Sequence, residues 1–384
     1  MGYMTEERQM IKDTAAEFTN NVVLPLANEL DPQKGMIPRS VIEQMGELGF
    51  FGIKAAEEHG GSGLGCFEYC LIAEELCRGW MSVGSIIARS EIKGLLTLPE
   101  EHRDRLVPRA VTGDFLLSAA LSEPDVGSDL SGIKCRAEQD GDYYVINGSK
   151  YWVTYADGSD AIMVITRTTP KEENPDKPYL GLSAFLIEKP RGELPEGCSG
   201  SPIPKIGYYG WNTFELSFDN CRVHKDFMIG EKDMAFMMLA SGLEIPRAHT
   251  AARSIGAAQG ALDCAIQYAQ DRVQFGRPIA KFQDIRFKIA NMATEIEAAR
   301  QLMYSVCDKI DSGGRCDKEA AMVKYYAAEM AERVTSDALQ ILGGAGYTHH
   351  FPVERYWRDA RLTKIFEGTS EIQKRIISDH LLGK

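Results

Sequence analysis

The chain has 384 residues, 44% of them hydrophobic, enough to bury a sizeable core across two or three domains. A formal net charge of -12 at pH 7 excludes a broad basic field for nucleic acid or an anionic membrane, and no apolar run approaches the ~20 residues of a membrane span. Nine cysteines, an odd number with no C-x-x-C pair, give no disulfide framework or zinc site; they read as reduced packing residues, and no metal is expected.

Residues 1–115 read as an N-terminal helical domain. Thr5 is placed to cap a first helix, with Glu6 and Glu7 in its first turn and Ile11, Ala15, Phe18 and Val22 on one face. Residues 57–65 (EEHGGSGLG) are glycine-rich but have neither the G-x-G-x-x-G nor the Walker spacing. They read as a loop that lets backbone pass close to a ligand or a neighbouring helix. Residues 73–89 read as an amphipathic helix followed by a buried one, with Arg78 and Arg89 in or beside apolar company. Each is either a snorkelling or salt-bridged arginine or an anchor for a negatively charged ligand group, since guanidinium grips carboxylate bidentately.

From Asp114 the pattern turns to short β-rich runs at 115–122, 143–146, 151–154, 161–166, 182–187 and 213–218. Asn147-Gly148 predicts a hairpin turn. The middle β domain therefore spans 116–228, with a polar surface loop at 169–178. Two stretches in it carry chemistry: 121–129 (LSEPDVGSD) and Trp152-Val153-Thr154. A hydroxyl with adjacent backbone N–H groups can hydrogen-bond the edge of a planar ring system, and an indole can cover its face.

Residues 229–384 return to helix. The small-residue-rich stretch 256–275, the runs 281–310 and 317–342, and the segment from Met234 predict a four-helix bundle. The third of these stops at Gly343-Gly344, and Pro352 opens a short helix through Arg361. Ser370 with Gln373 has capping-box spacing, so a last helix starts there. Glu367 then sits in a tight turn, permitted by Gly368, just ahead of a helix N-terminus.

Three stretches in order, QILGGAG at 340–346, PVERYWRD at 352–359 and IFEGTSEIQ at 365–373, resemble the C-terminal signature of the acyl-CoA dehydrogenase family. The 121–129 loop resembles its T-E-P-x-x-G-S-D motif, with Ser122 for the commoner threonine. Residues 152–154 resemble its W-I-T strand, with Tyr155 where asparagine is usual. The likeness covers nearly the whole chain. It implies an α+β fold: an N-terminal helical domain, a middle β-barrel or sandwich, and a C-terminal four-helix bundle. It also implies FAD as cofactor, a homotetramer, an acyl-CoA substrate and an electron-transfer flavoprotein as electron acceptor.

By the same resemblance Glu367 removes the α-proton of the acyl thioester while the β-hydrogen leaves as hydride to the flavin. Bound substrate excludes water and is expected to raise the pKa of Glu367. Leu121, Ser122, Ser128, Trp152, Thr154, Arg272, Phe275, Gln283, Gln340, Gly343, Gly344, Thr369 and Glu371 are implied to hold the dinucleotide. Ser128, Glu244, Arg247 and Gly368 are implied on the substrate side. Some relatives carry the base one residue before the arginine that Arg247 matches; here that residue is Pro246, which cannot act as one. Arg78 with Ser82 resembles the pair by which glutaryl-CoA dehydrogenases bind a distal carboxylate, which makes a dicarboxylyl substrate an alternative. A carrier-tethered acyl group, a flavin oxidase and a non-catalytic DNA-associated flavoprotein are the others, the last disfavoured by the acidic balance. No targeting segment is seen in residues 1–7, so a cytoplasmic location is expected.

Overall fold

The computed structural model describes residues 2–383. The N-terminal part holds helices α1 (Glu6–Phe18), α2 (Leu24–Leu30), α3 (Arg39–Glu47), α4 (Cys66–Gly79), α5 (Met81–Ile86) and α6 (Glu100–Val111). Thr5 caps α1, its hydroxyl accepting from the Arg8 amide at 3.2 Å. Helix α4 is buried almost all round, Glu74 and Glu75 included, rather than amphipathic. It is the shared wall between the N-terminal helices and the C-terminal bundle. The glycine-rich loop ahead of it serves this packing: Cys66 and Phe67 donate their amides to Asp311 at 2.6 and 2.9 Å.

The middle part is one eight-stranded sheet: β1 (Leu117–Ala120), β2 (Arg136–Asp140), β3 (Tyr143–Thr154), β4 (Ala161–Arg167), β5 (Leu182–Glu188), β6 (Cys198–Pro202), β7 (Thr213–His224) and β8 (Met228–Ile229). The order is β6-β7-β3-β2-β4-β5-β8, with β1 parallel to β4. The expected hairpin at Asn147-Gly148 is absent. These residues lie inside the continuous strand β3, at a register shift against β7. Asn147 is not turning the chain; its side-chain oxygen accepts the Asn220 amide at 2.9 Å, and Gly148 supplies a bulge at φ +140°. The β2–β3 turn falls instead between Asp140 and Tyr143. A Cβ on Gly148 would stand 2.6 Å from the Cys135 Cα. Gly148→Ala should therefore destabilise by about 1–3 kcal/mol, read as a lowered denaturant midpoint at unchanged m-value.

The C-terminal part begins with α7 (Ala235–Ala240) and the long α8 (Glu244–Asp271). A two-residue hairpin of β9 (Val273–Gln274) and β10 (Arg277–Pro278) leads to α9 (Gln283–Asp311), α10 (Asp317–Leu342), α11 (Val353–Leu362) and α12 (Ser370–Leu382). The segment from Met234 gives only the six-residue α7; α8, α9, α10 and α12 are the long packed helices. Small residues let α8 lie directly on α4, and a Cβ on Gly256 would stand 2.2 Å from the Glu74 carbonyl oxygen. No helix of the described residues is long and apolar enough to cross a membrane.

Candidate active site

Helix α11 ends at Leu362 and α12 begins at Ser370. Between them the chain turns through Glu367 at φ +52° and Gly368 at φ +89°. A non-glycine residue held in the left-handed region is strained unless its surroundings over-determine it. Here they do. Gly368 offers its carbonyl to Lys324 Nζ at 2.6 Å and to Gln373 Nε2 at 3.0 Å. The cap of α12 is Thr369, one residue earlier than the capping-box spacing predicts. Its hydroxyl accepts from the Ile372 amide at 3.3 Å, while Ser370 donates sideways to Glu329. The amides of Glu367 and Gly368 make no backbone hydrogen bond among the described residues.

That carboxylate is held from α8. Its Oε2 accepts from Thr250 Oγ1 at 2.5 Å and pairs with Arg253 Nη2 at 2.5 Å. The Glu367 side chain is 36% exposed and Arg253 only 2%. Burial alone would raise the Glu367 pKa, but Arg253, the Thr250 hydroxyl and the more distant Arg89 outweigh it and hold the carboxyl below its ordinary value. The Glu367 carboxylate is thus ionised and restrained in the absence of substrate.

Arg253 also links this cluster to the β domain. Its Nη1 donates to Ser85 Oγ at 3.3 Å. Ser85 in turn lines a small recess with Arg89, Thr154, Tyr155, Tyr208 and Trp211. Thr154 ends the strand that carries Trp152, whose indole is 57% exposed on a backbone at φ +65°. Arg253 and Ser85 thus connect the Glu367 carboxylate to a recess that Thr154 lines, two residues beyond the exposed Trp152.

Models of the N-terminal, middle and C-terminal domains of acyl-CoA dehydrogenase match residues 5–114, 118–221 and 236–382. The 3-(aryl)acrylate reductase of Clostridium sporogenes is 38% identical over 387 residues, covering 99% of this chain and 100% of that protein. The chain belongs to the acyl-CoA dehydrogenase family. Among solved structures, butyryl-CoA dehydrogenase from Megasphaera elsdenii superposes with a TM-score of 0.91 at 32% identity, covering 99% of both chains. A chain from work on the electron transferring flavoprotein of Acidaminococcus fermentans gives 0.92 at 36%, also covering 99% of both. As a member of this family the protein is an FAD-dependent oxidoreductase.

The residues present fit that cofactor. An indole left 57% exposed in a left-handed backbone is costly unless a flat partner covers it. The neighbouring 121–129 loop is pinned for a contact of its own. Tyr151 donates its amide to the Ser122 carbonyl at 2.8 Å, and Lys150 Nζ donates to the Leu121 carbonyl at 2.9 Å. Ser128 projects from the same loop, exposed. Thr154 shares a hydroxyl contact with Thr213 at 3.1 Å.

The remaining sequence-predicted residues are scattered. Phe275 is 93% exposed at the β9–β10 turn, and Gln283 opens α9; Gln340, Gly343 and Gly344 are exposed at the end of α10. Thr369 and Glu371 stand at the start of α12, just after the Glu367 turn. Arg272 and Arg78 line a groove between α4, α8 and α11, away from Glu367. The Arg78 guanidinium is spent on Glu75 at 2.8 Å and Asn20 at 2.9 Å. Ser82 is fully buried, its hydroxyl on the Tyr209 carbonyl and its own carbonyl on the Trp211 indole at 2.8 Å. The structure therefore does not bring Arg78 and Ser82 together as a carboxylate clamp. Glu244 and Arg247 tie the start of α8 to α10, through the Cys316 amide at 2.6 Å and Asp317 at 3.5 Å.

Sequence reasoning missed Thr250, Arg253 and Lys324. The available signal was an arginine and a threonine three apart, on one face of a helix stretch rich in small residues. Lys324 is buried, and burial, outweighing the opposing pull of Glu367, pushes its pKa down to about 8. Lys324→Met should leave a folded enzyme whose kcat falls by about 10–100-fold, because a catalytic group displaced by an ångström loses that order of rate. KM should change little. Steady-state kinetics with flavin content as control checks it.

Proposed function

We propose that the protein dehydrogenates an acyl-CoA thioester between Cα and Cβ, giving the trans-2-enoyl-CoA, with Glu367 as the general base. The observation that supports this most is the Glu367 turn itself: an ionised carboxylate in a left-handed turn whose amides have no partner among the described residues, linked through Arg253 and Ser85 to the recess that Thr154 lines. The carboxylate takes the α-proton. The Glu367 amide donates to the thioester carbonyl and stabilises the enolate-like charge that forms there, as an oxyanion hole does. Bound FAD supplies the acceptor for the β-hydrogen as hydride. Thr250 and Arg253 fix the carboxylate's position until substrate arrives, and the acyl chain displaces water from around it.

The same reading has an electron-transfer flavoprotein as the acceptor of electrons, and a homotetramer in which Phe275 and Tyr347, exposed here at 93% and 79%, are covered. Light scattering on the purified holoenzyme checks the assembly. The central test is an anaerobic titration of the flavin with acyl-CoAs of short, medium, branched, cyclic and dicarboxylic chains. Loss of the flavin's visible absorbance with one class establishes the reaction; no loss with any class overturns the proposal.

A further inference from the structure

We infer that Cys66, Cys70 and Cys307 form a three-thiolate site for a soft cation, monovalent copper, buried between the N-terminal helices and the C-terminal bundle. The site stands apart from the Glu367 cluster and does not depend on the reaction proposed above.

Cys66 opens α4 and Cys70 follows one helical turn later, so both sulfurs lie on one face of that helix. Cys307 comes from α9, 241 residues further along the chain. All three are 2% exposed or less. The Cys66 sulfur lies 3.9 Å from that of Cys70 and 3.8 Å from that of Cys307, and all three sulfurs fall within 4.8 Å of one another. Cys77, Cys135, Cys221 and Cys316 are buried too, but none of them belongs to such a group among the described residues. Packing alone asks only for small apolar side chains. Convergence of three thiols from two helices is what a metal centre needs, and sequence spacing hides it because the third ligand arrives from another helix.

The spacing is that of ligands around one ion. Metal–thiolate bonds of about 2.3 Å place sulfurs roughly 4.0 Å apart around a three-coordinate ion and roughly 3.8 Å apart around a tetrahedral one. The ion therefore occupies the interstice of the three sulfurs and needs no separate cavity. The number of ligands selects the ion. No histidine or carboxylate joins the three sulfurs among the described residues. The neighbouring Asp311 carboxylate is taken by the Cys66 and Phe67 amides at 2.6 and 2.9 Å. Zinc in structural sites completes a tetrahedron with a fourth ligand, whereas soft monovalent copper is satisfied by sulfur alone and accepts three-coordination.

The protein holds these sulfurs in place. Asp311 lies one turn beyond Cys307 on α9, and its grip on the start of α4 fixes Cys66 against Cys307. Gly65 makes room for that grip, since a Cβ there would stand 2.4 Å from the Asp311 Cγ. Hydrogen bonds from Cys307 and Cys70 hold the Cys66 thiol well below its ordinary pKa. Burial pushes the Cys70 thiol up, and the hydrogen bond to Cys66 does the same for Cys307. Coordination thus starts from one thiolate, and the two thiols release their protons to solvent as the ion takes up their sulfurs. Lys54 is the cation that acts on the group; the carboxylates that act on it are Asp311 and Glu68, the latter paired with Arg8 at 2.7 Å.

The test supplies copper alone. Reduced holoenzyme is titrated anaerobically with Cu(I) held by a competing coloured chelator until transfer stops, and copper is also measured in holoenzyme purified from cells grown with added copper. Wild type is compared with Cys70→Ala, Cys307→Ser and Cys198→Ser, each checked for flavin content; Cys198 lies on β6, outside the group. We expect one copper per chain in the wild type and in Cys198→Ser, with thiolate-to-copper ultraviolet absorption. Cys307→Ser and Cys70→Ala should lose more than about 100-fold in affinity, since losing even an outer partner of a metal ligand costs roughly 10–100-fold. The bound ion ties α4 to α9, so it should raise the unfolding midpoint of the wild type and not that of Cys307→Ser. No copper in the wild type by either route overturns the site, as does undiminished affinity in flavin-loaded Cys307→Ser and Cys70→Ala. Zinc held in preference to copper at these cysteines would overturn the three-coordinate assignment.

Discussion

Glu367→Gln should bind flavin and thioester and lose about 10²–10⁴-fold in the rate of flavin reduction, the contribution of a positioned general base. The substitution is nearly isosteric. The amide oxygen can still accept from Arg253 Nη2 and Thr250 Oγ1, which meet the carboxylate at 2.5 Å, so the left-handed turn should survive. What disappears is the proton acceptor that the proposed reaction requires at the α-carbon. Near-normal reduction rates in a flavin-loaded Glu367→Gln would refute the assignment of the base. The pH dependence has a definite sign. Burial opposes ionisation of Glu367, but Arg253 and Thr250 overcome it and hold the folded-state pKa below the ordinary 4.5. The acid limb of kcat/KM, which reports the free enzyme, should therefore lie below 4.5, and that of kcat, which reports the complex, above the limb of kcat/KM. For stability the same depressed pKa gives the ion pair full effect above the unfolded value, and the effect fades as pH falls through the folded one. The stability gap between wild type and Glu367→Gln should accordingly narrow on acidification through that window, measured by denaturant unfolding at a series of pH values.

Much of this site was legible in the sequence, because the features that mark it are local. Glu367-Gly368 between two helical patterns announces a tight turn, and Thr5, Gly343 and Pro352 mark helix ends by backbone rules that operate within a few residues. The errors have one physical origin. Asn147-Gly148 has the composition of a hairpin turn, yet β7 runs past it and captures Asn147 through the Asn220 amide, converting a turn into a bulge. Thr369 takes the cap because the Ser370 hydroxyl is drawn to Glu329 on α10. Arg78 looked free because Glu75 is one turn behind it and Asn20 is 58 residues away. Arg253 and Glu367 are 114 residues apart, and nothing in either neighbourhood announces the other. Pairings made in tertiary space decide which polar groups remain available, and those are what the residue string hides.

The largest expected loss of stability lies at a buried ion pair between β3 and the 121–129 loop. Lys150 on β3 is fully buried and its Nζ meets Glu123 Oε1 at 2.9 Å, Glu123 being 6% exposed. Glu123 also takes the amides of Lys134 and Cys135 at 2.8 and 2.9 Å. One carboxylate thus closes the 121–129 loop onto the start of β2, and one ammonium neutralises it. Lys150→Met keeps the stem volume but strands Glu123 without a counter-charge, which costs about 3–5 kcal/mol for a buried pair broken on one side. Removing both partners should be less damaging than the two single changes summed, by about 0.5–3 kcal/mol, since the double variant buries no unpaired charge. Additive losses in Lys150→Met, Glu123→Ala and the double variant would show that the pair is not coupled. The loop consequence is separately measurable. Ser122 and Ser128 sit on the segment that Lys150 and Glu123 hold in place, so Lys150→Met should also release flavin more readily, seen as a lower ratio of visible to ultraviolet absorbance after dilution. Full flavin retention alongside the stability loss would mean that the loop is held by its contacts with β3 alone, through the Tyr151 amide on the Ser122 carbonyl.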